Sequence, residues 1–247
     1  MSEQRKADGS QTLERGLLVL RMLAEHPEGL TAGEIAAHLG LHRSIAYRLL
    51  TALTRQDFAT RDAENRYHAG LSFFTLAERV RPRLLDVAHP VLHEVTAELD
   101  ATACLVVAEN DFAVAIAVVE PPGSGPRFSY GIGNRDPLDR GAAGIALLAA
   151  GPPRDGEPER VDDTRQSGHI VTHNEVVSGT YGIAAPIRTP PGEHTAAVNV
   201  ITHREDVADR AIPLVVRATE RITQAMNAPA GTRSGRAAAH PSPRSEA

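Results

Sequence analysis

Apolar residues recur at helical spacing near the start of the chain. The apolar side chains that share one helical face there are Leu13, Leu17, Leu20 and Ala24. A stripe with this spacing predicts an amphipathic helix whose apolar side packs against a core. The segment 26–29, which contains Pro27 and Gly29, predicts a turn that ends this helix.

Two more helices are predicted after this turn. Thr31 and Glu34 have the spacing of a capping box, in which a hydroxyl and a carboxylate bond the free N–H groups at a helix start. Gly40 is expected to end that helix. The inward positions of the next helix are Ile45, Leu49 and Leu53. Two short helices joined by a tight turn that contains glycine, with a basic second helix, are typical of a helix-turn-helix.

A β-hairpin is predicted directly after the third helix. Residues 58–61 and 66–69 have strand character and flank the polar turn 62–65. A hairpin in this position is a wing, so the pattern predicts a winged helix-turn-helix DNA-binding domain over residues 10–71. Residues 72–83 return to helical spacing, and we expect them to form a linker helix.

The rest of the chain alternates helical segments with apolar strands. Strands are predicted at 103–108, 113–120, near 128–130, 181–188 and 195–202. Helices are predicted from residue 84, over the nearly all-apolar and therefore buried segment 141–150, and along the last apolar stripe, 212–226. The prolines between 151 and 167 predict a loop or a frayed helix there. This order predicts an α+β domain over residues 84–227, with an antiparallel sheet flanked by helices.

The two ends of the chain have a different composition. Residues 1–9 and 228–247 lack hydrophobic periodicity, and the second segment is rich in Ala, Gly, Ser, Pro and Arg. Such segments cannot bury enough apolar surface to offset the entropy cost of ordering, so we predict disordered tails.

Composition limits the class of protein. A chain of 247 residues is long for one domain and suits two, and 42% hydrophobic residues with no Trp predict cores of Leu, Val, Ile and Ala. Because no apolar run approaches the roughly 20 residues of a membrane span, and no signal peptide is recognisable, we expect a cytoplasmic protein without membrane contact. The single cysteine, Cys104, lies in an apolar stretch and excludes an intramolecular disulfide or a site with several thiolate ligands.

Charge is distributed unevenly along the chain. The net charge is −5, but residues 1–83 carry +2 and the remainder carries −7. No acidic residue lies between Glu34 and Asp57. A phosphate backbone responds to the local field, so this stretch favours contact with DNA despite the overall negative charge.

Candidate DNA-contacting residues lie on the outer face of the third helix and on the wing. They are His42, Arg43, Ser44, Tyr47, Arg48, Thr51, Arg61 and Arg66. Arginine can pair with O6 and N7 of guanine in the major groove, and hydroxyl groups can bind phosphates. We expect the wing arginines to contact the backbone or the minor groove. The alternative is that these are solvated surface residues and, for Arg48, a structural ion pair within the domain.

With these motifs in place, the chain resembles the IclR family of transcription regulators from about Thr12 to Met226. In the first half the similarity rests on the segments 29–36, 39–44 and 48–53. In the second half it rests on Pro137-Leu138, Ala142-Ala143-Gly144, Gly168, Glu175, Gly179 and Ile183-Ala184-Ala185-Pro186. The resemblance implies a GAF-like sensor domain, homodimers or dimers of dimers, and small organic effectors, often carboxylates from aromatic or short-chain acid catabolism.

The resemblance also implies where an effector binds. The positions are Ala142, Ala143, Thr172, Gly182, Asn199 and Ile201. Physical chemistry supports the first pair, because the opening turn of a helix has unpaired N–H groups, and small side chains let a carboxylate approach them. Asn199 can add an amide donor.

Four residues depart from the usual family pattern. Ile145 stands where the family usually has Lys, and Asp139 stands where it usually has His. Gly182 and Ile201 stand where many relatives have a polar side chain. These departures predict a more apolar pocket or a larger effector.

The sequence therefore predicts a DNA-binding transcription regulator rather than an enzyme, with a repressor favoured over an activator. A small effector, an organic acid or an aromatic metabolite that we expect to carry a carboxylate, would change its affinity for a double-stranded operator, with the linker helix 72–83 transmitting the change. One alternative is an enzyme dimerised by its winged helix, such as a methyltransferase, but no glycine-rich nucleotide loop follows a strand. Another is an adaptor that does not bind DNA, which the acid-free stretch from Ile35 to Gln56 disfavours.

Other chemistry has weaker support, and no metal or cofactor is expected. His169, His173 and Glu175 have no evident fourth ligand for a metal, so we expect solvated or structural side chains. The segment 131–133 lacks the third glycine of a dinucleotide-binding loop. Ser167 and Ser178 have no nucleophile-elbow context.

Overall fold

The structure is a computed structural model that describes residues 10–80, 83–122, 130–154 and 156–228. It divides into two units, Met1–Arg81 and Pro82–Ala247. The first unit is helical with a small hairpin, and the second combines helices with a larger sheet. This mixed architecture confirms the predicted α+β class.

Three helices and a hairpin form the first unit. The helices are α1 (Gln11–Glu25), α2 (Ala32–His38) and α3 (Arg43–Arg55). The predicted capping box is present, because Glu34 N–H donates to Thr31 Oγ1 at 3.2 Å and Thr31 N–H donates to Glu34 Oε2 at 2.7 Å. These reciprocal bonds satisfy donors that the first turn of α2 would otherwise leave open.

The buried face of α1 differs from the predicted one. Val19 and Leu23 are buried, whereas Leu13 is 63% exposed and Leu17 is 52% exposed. The predicted stripe is therefore wrong as a core face. This helix carries apolar residues around most of its circumference, so periodicity fits two stripes, and packing against α3 selects the Val19 and Leu23 side.

The hairpin follows α3 as predicted. Strands β1 (Ala59–Arg61) and β2 (Tyr67–Ala69) pair antiparallel. Tyr67 also exchanges two backbone hydrogen bonds with Leu30, at 2.7 and 3.0 Å, which fixes the wing against the start of α2. Gly70 must be glycine because a Cβ there would lie 2.1 Å from the Asp57 carbonyl oxygen. Helix α4 (Ser72–Val80) comes next, and residues 81 and 82 of the predicted linker lie outside the described residues.

A six-stranded antiparallel sheet organises the second unit. Its helices are α5 (Arg83–Leu99), α6 (Gly141–Ala150), α7 (Glu159–Ser167) and α8 (Glu205–Asn227). Its strands are β3 (Thr102–Glu109), β4 (Phe112–Val119), β5 (Arg135–Pro137), β6 (Ile170–His173), β7 (Tyr181–Ile187) and β8 (Ala196–Thr202). The strand order is β5-β4-β3-β8-β7-β6.

Two helices cover one face of the sheet and α6 covers the other. Along β8, Val198 and Val200 belong to the core with α5 and α8, and Ala197 and Ile201 belong to the core with α6. Side chains alternate between the faces of a strand, so Asn199 points toward α6. The predicted buried helix at 141–150 is confirmed, since α6 spans these residues and its first seven residues are buried.

Several elements differ from the sequence pattern. Strands β5 and β6 were not predicted, and α7 forms where a loop or frayed helix was expected. Residues 128 and 129 of a predicted strand lie outside the described residues, and Tyr130 is not in a strand. In the described part of the chain, no helix has both the length and the apolar character that a membrane crossing requires.

Candidate nucleic-acid interface and effector pocket

The outward face of α3 brings six of the predicted DNA-contacting residues together. All six are exposed: His42, Arg43, Ser44, Tyr47, Arg48 and Thr51. The opposite face of the same helix buries Ala46, Leu49 and Leu50 in the core of the first unit. Burial of one face of an amphipathic helix presents the other face to solvent.

The N-terminus of α3 is fixed by two of these residues. His42 is the N-cap, and its Nδ1 accepts from the Ser44 N–H group at 3.4 Å. The same ring nitrogen lies 2.8 Å from Ser44 Oγ. These contacts hold the first turn of α3, which is the part of a recognition helix that meets base edges in helix-turn-helix proteins.

Arg43 and Arg48 are available for a partner. Within residues 10–80, 83–122, 130–154 and 156–228, neither side chain forms an ion pair. The structural ion pair considered for Arg48 is therefore not formed by the described residues. The hydroxyl of Thr51 already donates its hydrogen bond within α3, from Oγ1 to the Tyr47 carbonyl oxygen at 2.8 Å.

The two wing arginines differ in their surroundings. Arg61 is exposed, and its guanidinium carbon lies 5.4 Å from the centre of the Tyr67 ring. Arg66 instead donates from Nη2 to Glu34 Oε1 at 3.4 Å and from Nε to the Glu28 carbonyl oxygen at 3.3 Å. Arg66 thus links the wing to the start of α2, and its contact with DNA stays a prediction.

A histidine that the sequence did not single out stabilises the wing. His68 Nε2 lies 2.8 Å from Asp62 Oδ2, and its Nδ1 lies 3.2 Å from the Pro27 carbonyl oxygen. The hydrogen bond to Asp62 raises the pKa of His68, and the same bond lowers the pKa of Asp62. Gly29 lies against this ring, since a Cβ there would be 2.5 Å from His68 Cε1.

A second candidate site lies in the other unit, at the N-terminus of α6. All six predicted effector-binding residues line one cavity of about 40 Å³ there. They are Ala142, Ala143, Thr172, Gly182, Asn199 and Ile201. The structure therefore brings together residues that lie up to about 60 positions apart in the chain.

The sheet forms one wall of this cavity. Thr172 on β6 pairs with Gly182 on β7, and Gly182 pairs with Ile201 on β8. A Cβ on Gly182 would lie 3.1 Å from both the Ala142 Cβ and the Thr172 Oγ1. The glycine therefore allows Ala142 of α6 and Thr172 of β6 to lie close to β7.

The first turn of α6 already has two internal acceptors. The Gly141 N–H group donates to Glu175 Oε2 at 2.8 Å, and the Ala142 N–H group donates to Thr172 Oγ1 at 3.1 Å. Glu175 also pairs with Arg160, whose Nη1 lies 2.6 Å from Oε1. The N-cap residue of α6 is Arg140, which makes no side-chain capping bond. An arginine at this position has no acceptor for the free N–H groups of the helix, so the sequence indicates that an acceptor must come from another part of the chain.

A buried polar atom in the cavity wall lacks a hydrogen-bond partner among the described residues. Asn199 is only 4% exposed, and its Oδ1 has no hydrogen-bond partner in the described part of the protein. The buried Tyr130 also lines the cavity. A buried acceptor without a partner is costly, so this wall is suited to a ligand that donates a hydrogen bond.

The residues considered for a metal have other contacts. The His173 ring stacks on Tyr181 with 4.1 Å between ring centres, and Glu175 is bound by Arg160 and Gly141. Across the residues that the structure describes, no cluster of three or more His, Cys, Asp or Glu side chains is arranged to hold a metal ion. Cys104 is buried, and burial raises the pKa of its thiol.

Two protein-family models match the chain in order. The model of the IclR helix-turn-helix domain matches residues 12–63. The model of the bacterial transcriptional regulator IclR C-terminal domain matches residues 79–159.

Individual relatives agree with these matches. The HTH-type transcriptional regulator Rv1719 of Mycobacterium tuberculosis is 36% identical over 149 residues, which are 60% of this chain and 57% of that protein. The HTH-type transcriptional repressor AllR of Salmonella paratyphi A is 28% identical over 217 residues, 78% of this chain and 79% of the relative. The crystal structure of an IclR homologue from Microbacterium hydrocarbonoxydans, complexed with 4-hydroxybenzoate, has a TM-score of 0.77 at 21% identity and covers 89% of this chain and 100% of its own.

Proposed function

Because the chain belongs to the IclR family of transcriptional regulators, we propose that it binds a double-stranded operator as a homodimer and changes its operator affinity when a small carboxylate binds the α6 pocket. The observation that carries the proposal is the exposed face of α3. It presents Arg43 and Arg48 without ion pairs inside the described chain, beside polar groups that can bind bases or phosphates.

Charge reversal on α3 tests the DNA-binding part of the proposal. Arg43→Glu replaces an exposed cation with an anion on the face that would meet the duplex, so the specific complex should be lost, at least about a hundredfold in Kd at physiological salt. Fluorescence anisotropy with a fragment found by genomic footprinting measures this affinity over a range of salt concentrations.

The matched control for this test is Arg217→Glu, at an exposed position on α8 in the second unit. It makes the same charge change outside the winged helix. Unaltered binding by Arg43→Glu, or equal losses in both variants, would contradict the assignment of α3 as the recognition helix. Circular dichroism checks that both variants keep their fold.

The exposed side of α1 supports the homodimer. Leu17, Leu18 and Leu20 on α1 line a groove of about 510 Å³ that Phe73 of α4 also borders. Contiguous exposed apolar surface of this kind marks interaction sites in soluble proteins. We propose that the same surface of a second copy covers it, which would place two α3 helices on successive half-sites about 34 Å apart. A dimer of dimers stays a prediction, and light scattering distinguishes the two states.

The pocket suggests the chemistry of the effector. N–H groups at the start of α6 favour a carboxylate, and the unpartnered Asn199 Oδ1 favours a hydroxyl or amino donor at the other side of the ligand. A carboxylate that also carries a hydrogen-bond donor satisfies both. The 4-hydroxybenzoate bound by the Microbacterium homologue belongs to this class.

Repression is the sign of regulation that we propose, and the named repressor from Salmonella supports it. A promoter fused to a reporter should become more active when this gene is deleted, and less active when it is restored. Lower reporter activity after deletion would instead indicate an activator.

A further inference from the structure

The N-terminus of α6 holds a carboxylate that belongs to the protein itself. Glu175 lies in the loop 174–180, between β6 and β7, and binds the Gly141 N–H group through Oε2. Its other oxygen binds Arg160. Glu175 therefore occupies the position where the proposed function places the carboxylate of an effector.

Electrostatics keeps this internal carboxylate ionised. Burial by itself raises the pKa of Glu175, but the hydrogen bond and charge of Arg160 and the Gly141 N–H group outweigh it, so the pKa is lowered overall. The positive end of the α6 dipole acts in the same direction. At neutral pH an incoming carboxylate meets a negative charge at the position that it needs.

The loop 174–180 also narrows the cavity at the start of α6. The volume of the cavity is about 40 Å³, and both Glu175 and Val176 of this loop line it. Val176 closes the side near the helix start, because a Cβ on Gly141 would lie 2.5 Å from Val176 Cγ2. A carboxylate that binds the Gly141 N–H group must displace Glu175 and Val176, which requires the loop 174–180 to move.

A second observation indicates that the cavity binds a ligand that donates a hydrogen bond. Asn199 Oδ1 is buried in the cavity wall without a partner in the described part of the protein. Glu175 offers no hydrogen to this atom when ionised, so it can fill the anion position but cannot satisfy the acceptor. A ligand with both a carboxylate and a donor can replace Glu175 and also bind Asn199.

We propose that Glu175 is an internal competitor of the effector. It occupies the start of α6 in the ligand-free protein, and a carboxylate binds only when Glu175 and the loop 174–180 move away from the helix. This inference rests on the proposed function of the pocket and adds how access to it is regulated. The free energy that holds Glu175 in place is subtracted from the affinity of the effector.

The first experiment needs no ligand. Hydrogen exchange is measured by mass spectrometry on the full chain, its Glu175→Gln variant and the control Glu193→Gln, which removes an exposed carboxylate from a turn. Gln keeps the shape of Glu but lacks its charge, so the 174–180 amides should exchange about five- to tenfold faster in E175Q. E193Q should match the wild type. Equal exchange in E175Q and the wild type would overturn the inference.

The second experiment measures competition with three probes, acetate, benzoate and 4-hydroxybenzoate, each beside its neutral amide. Calorimetric affinities should be at least about fivefold higher for carboxylates in E175Q than in the wild type, with no gain for the amides. If Glu175 only caps the helix, E175Q lowers the melting temperature without increasing any carboxylate affinity. The inference is contradicted if none of the three carboxylates binds E175Q more tightly than the wild type.

Hydrogen exchange with a bound probe shows whether Glu175 leaves. A saturating carboxylate should protect the amides of 141–146 and accelerate those of 174–180, whereas binding beside a stationary Glu175 would protect both segments. Operator binding by the same variants is measured separately. If the protein does not bind the operator but shows the expected hydrogen exchange, the proposed function alone is refuted. If it binds the operator but does not show the expected exchange, this inference alone is refuted.

Discussion

Neighbouring groups decide what each arginine of the first unit can do. Arg43 and Arg48 have the same side chain as Arg66, but only Arg66 lies within hydrogen-bond distance of Glu34 and the Glu28 carbonyl oxygen. An arginine held by internal acceptors must break those bonds to reach a phosphate. The exposed arginines of α3 have no such cost, and we expect them to dominate the salt dependence of DNA binding.

The pair of His68 and Asp62 makes the wing sensitive to pH. Since the pKa of His68 is raised in the folded protein, its stabilising contribution is fully present below the unfolded value of about 6.5 and is lost as the pH rises through the folded pKa. Asp62 has a lowered pKa, so its contribution is present above about 3.9 and disappears as the pH falls through the folded pKa.

An NMR titration of the His68 ring tests this prediction. Asp62→Asn should bring the His68 pKa down toward its ordinary value. In the wild type, the wing amides should lose protection against hydrogen exchange between about pH 6 and pH 8, beyond the ordinary increase of exchange with pH, and Asp62→Asn should reduce this loss. Glu64→Gln is the control, because it removes a charge from the same turn without removing the bond to His68. An equal pKa in D62N and the wild type would disprove the pairing.

Among the helices, α1 shows how one element can have two apolar faces. Val19 and Leu23 complete the core of the first unit, and the side with Leu13 and Leu17 remains exposed. Exposed leucines at this density are unfavourable in water unless another surface covers them. The second face therefore has the properties of an interface rather than of a core.

Leu17→Glu should disrupt the proposed dimer without unfolding the chain. The side chain is already half exposed, so the monomer tolerates a charge there, while a dimer would have to bury it. We expect a monomeric mass by light scattering and at least a tenfold (about 1.4 kcal/mol) weaker operator complex. Ile132→Glu, at an exposed apolar position of the second unit, is the control. A dimeric L17E protein would place the interface elsewhere.

Regulation in the whole molecule requires coupling between a pocket in one unit and a DNA-binding face in the other. Such coupling is a free energy shared by both ligands, and typical values change an affinity by about 5- to 150-fold. Thermodynamic linkage makes it reciprocal, so the effector and the operator must change each other's affinity by the same factor.

This reciprocity can be measured on the intact protein. If a carboxylate weakens operator binding by a given factor, its own Kd should rise by that factor when the protein is saturated with operator DNA. Calorimetry with and without the duplex gives the second number, and anisotropy gives the first. If the change in operator affinity and the change in carboxylate affinity differ beyond error, carboxylate binding in the pocket is not the event that changes operator binding.

Local sequence determined the helices and hairpin of the first unit and the exposed, basic face of α3. The capping box at Thr31 and the apolar side of α3 depend on residues three to four positions apart, and both are correctly predicted. The outward position of Arg43 follows from the same periodicity. Resemblance to the family added six of the residues that line the α6 cavity, which spacing alone does not connect.

Tertiary structure decided which of several locally acceptable partners is used. Two stripes of α1 fit a helical period, and tertiary packing against α3 and β2 selected Val19 and Leu23. The N–H group of Gly141 needs an acceptor, but Glu175 lies 34 residues away and reaches it only because β6 and α6 are adjacent in the fold. Hydrogen bonds and apolar contacts act over a few ångströms in space, so their partners can be distant in the chain.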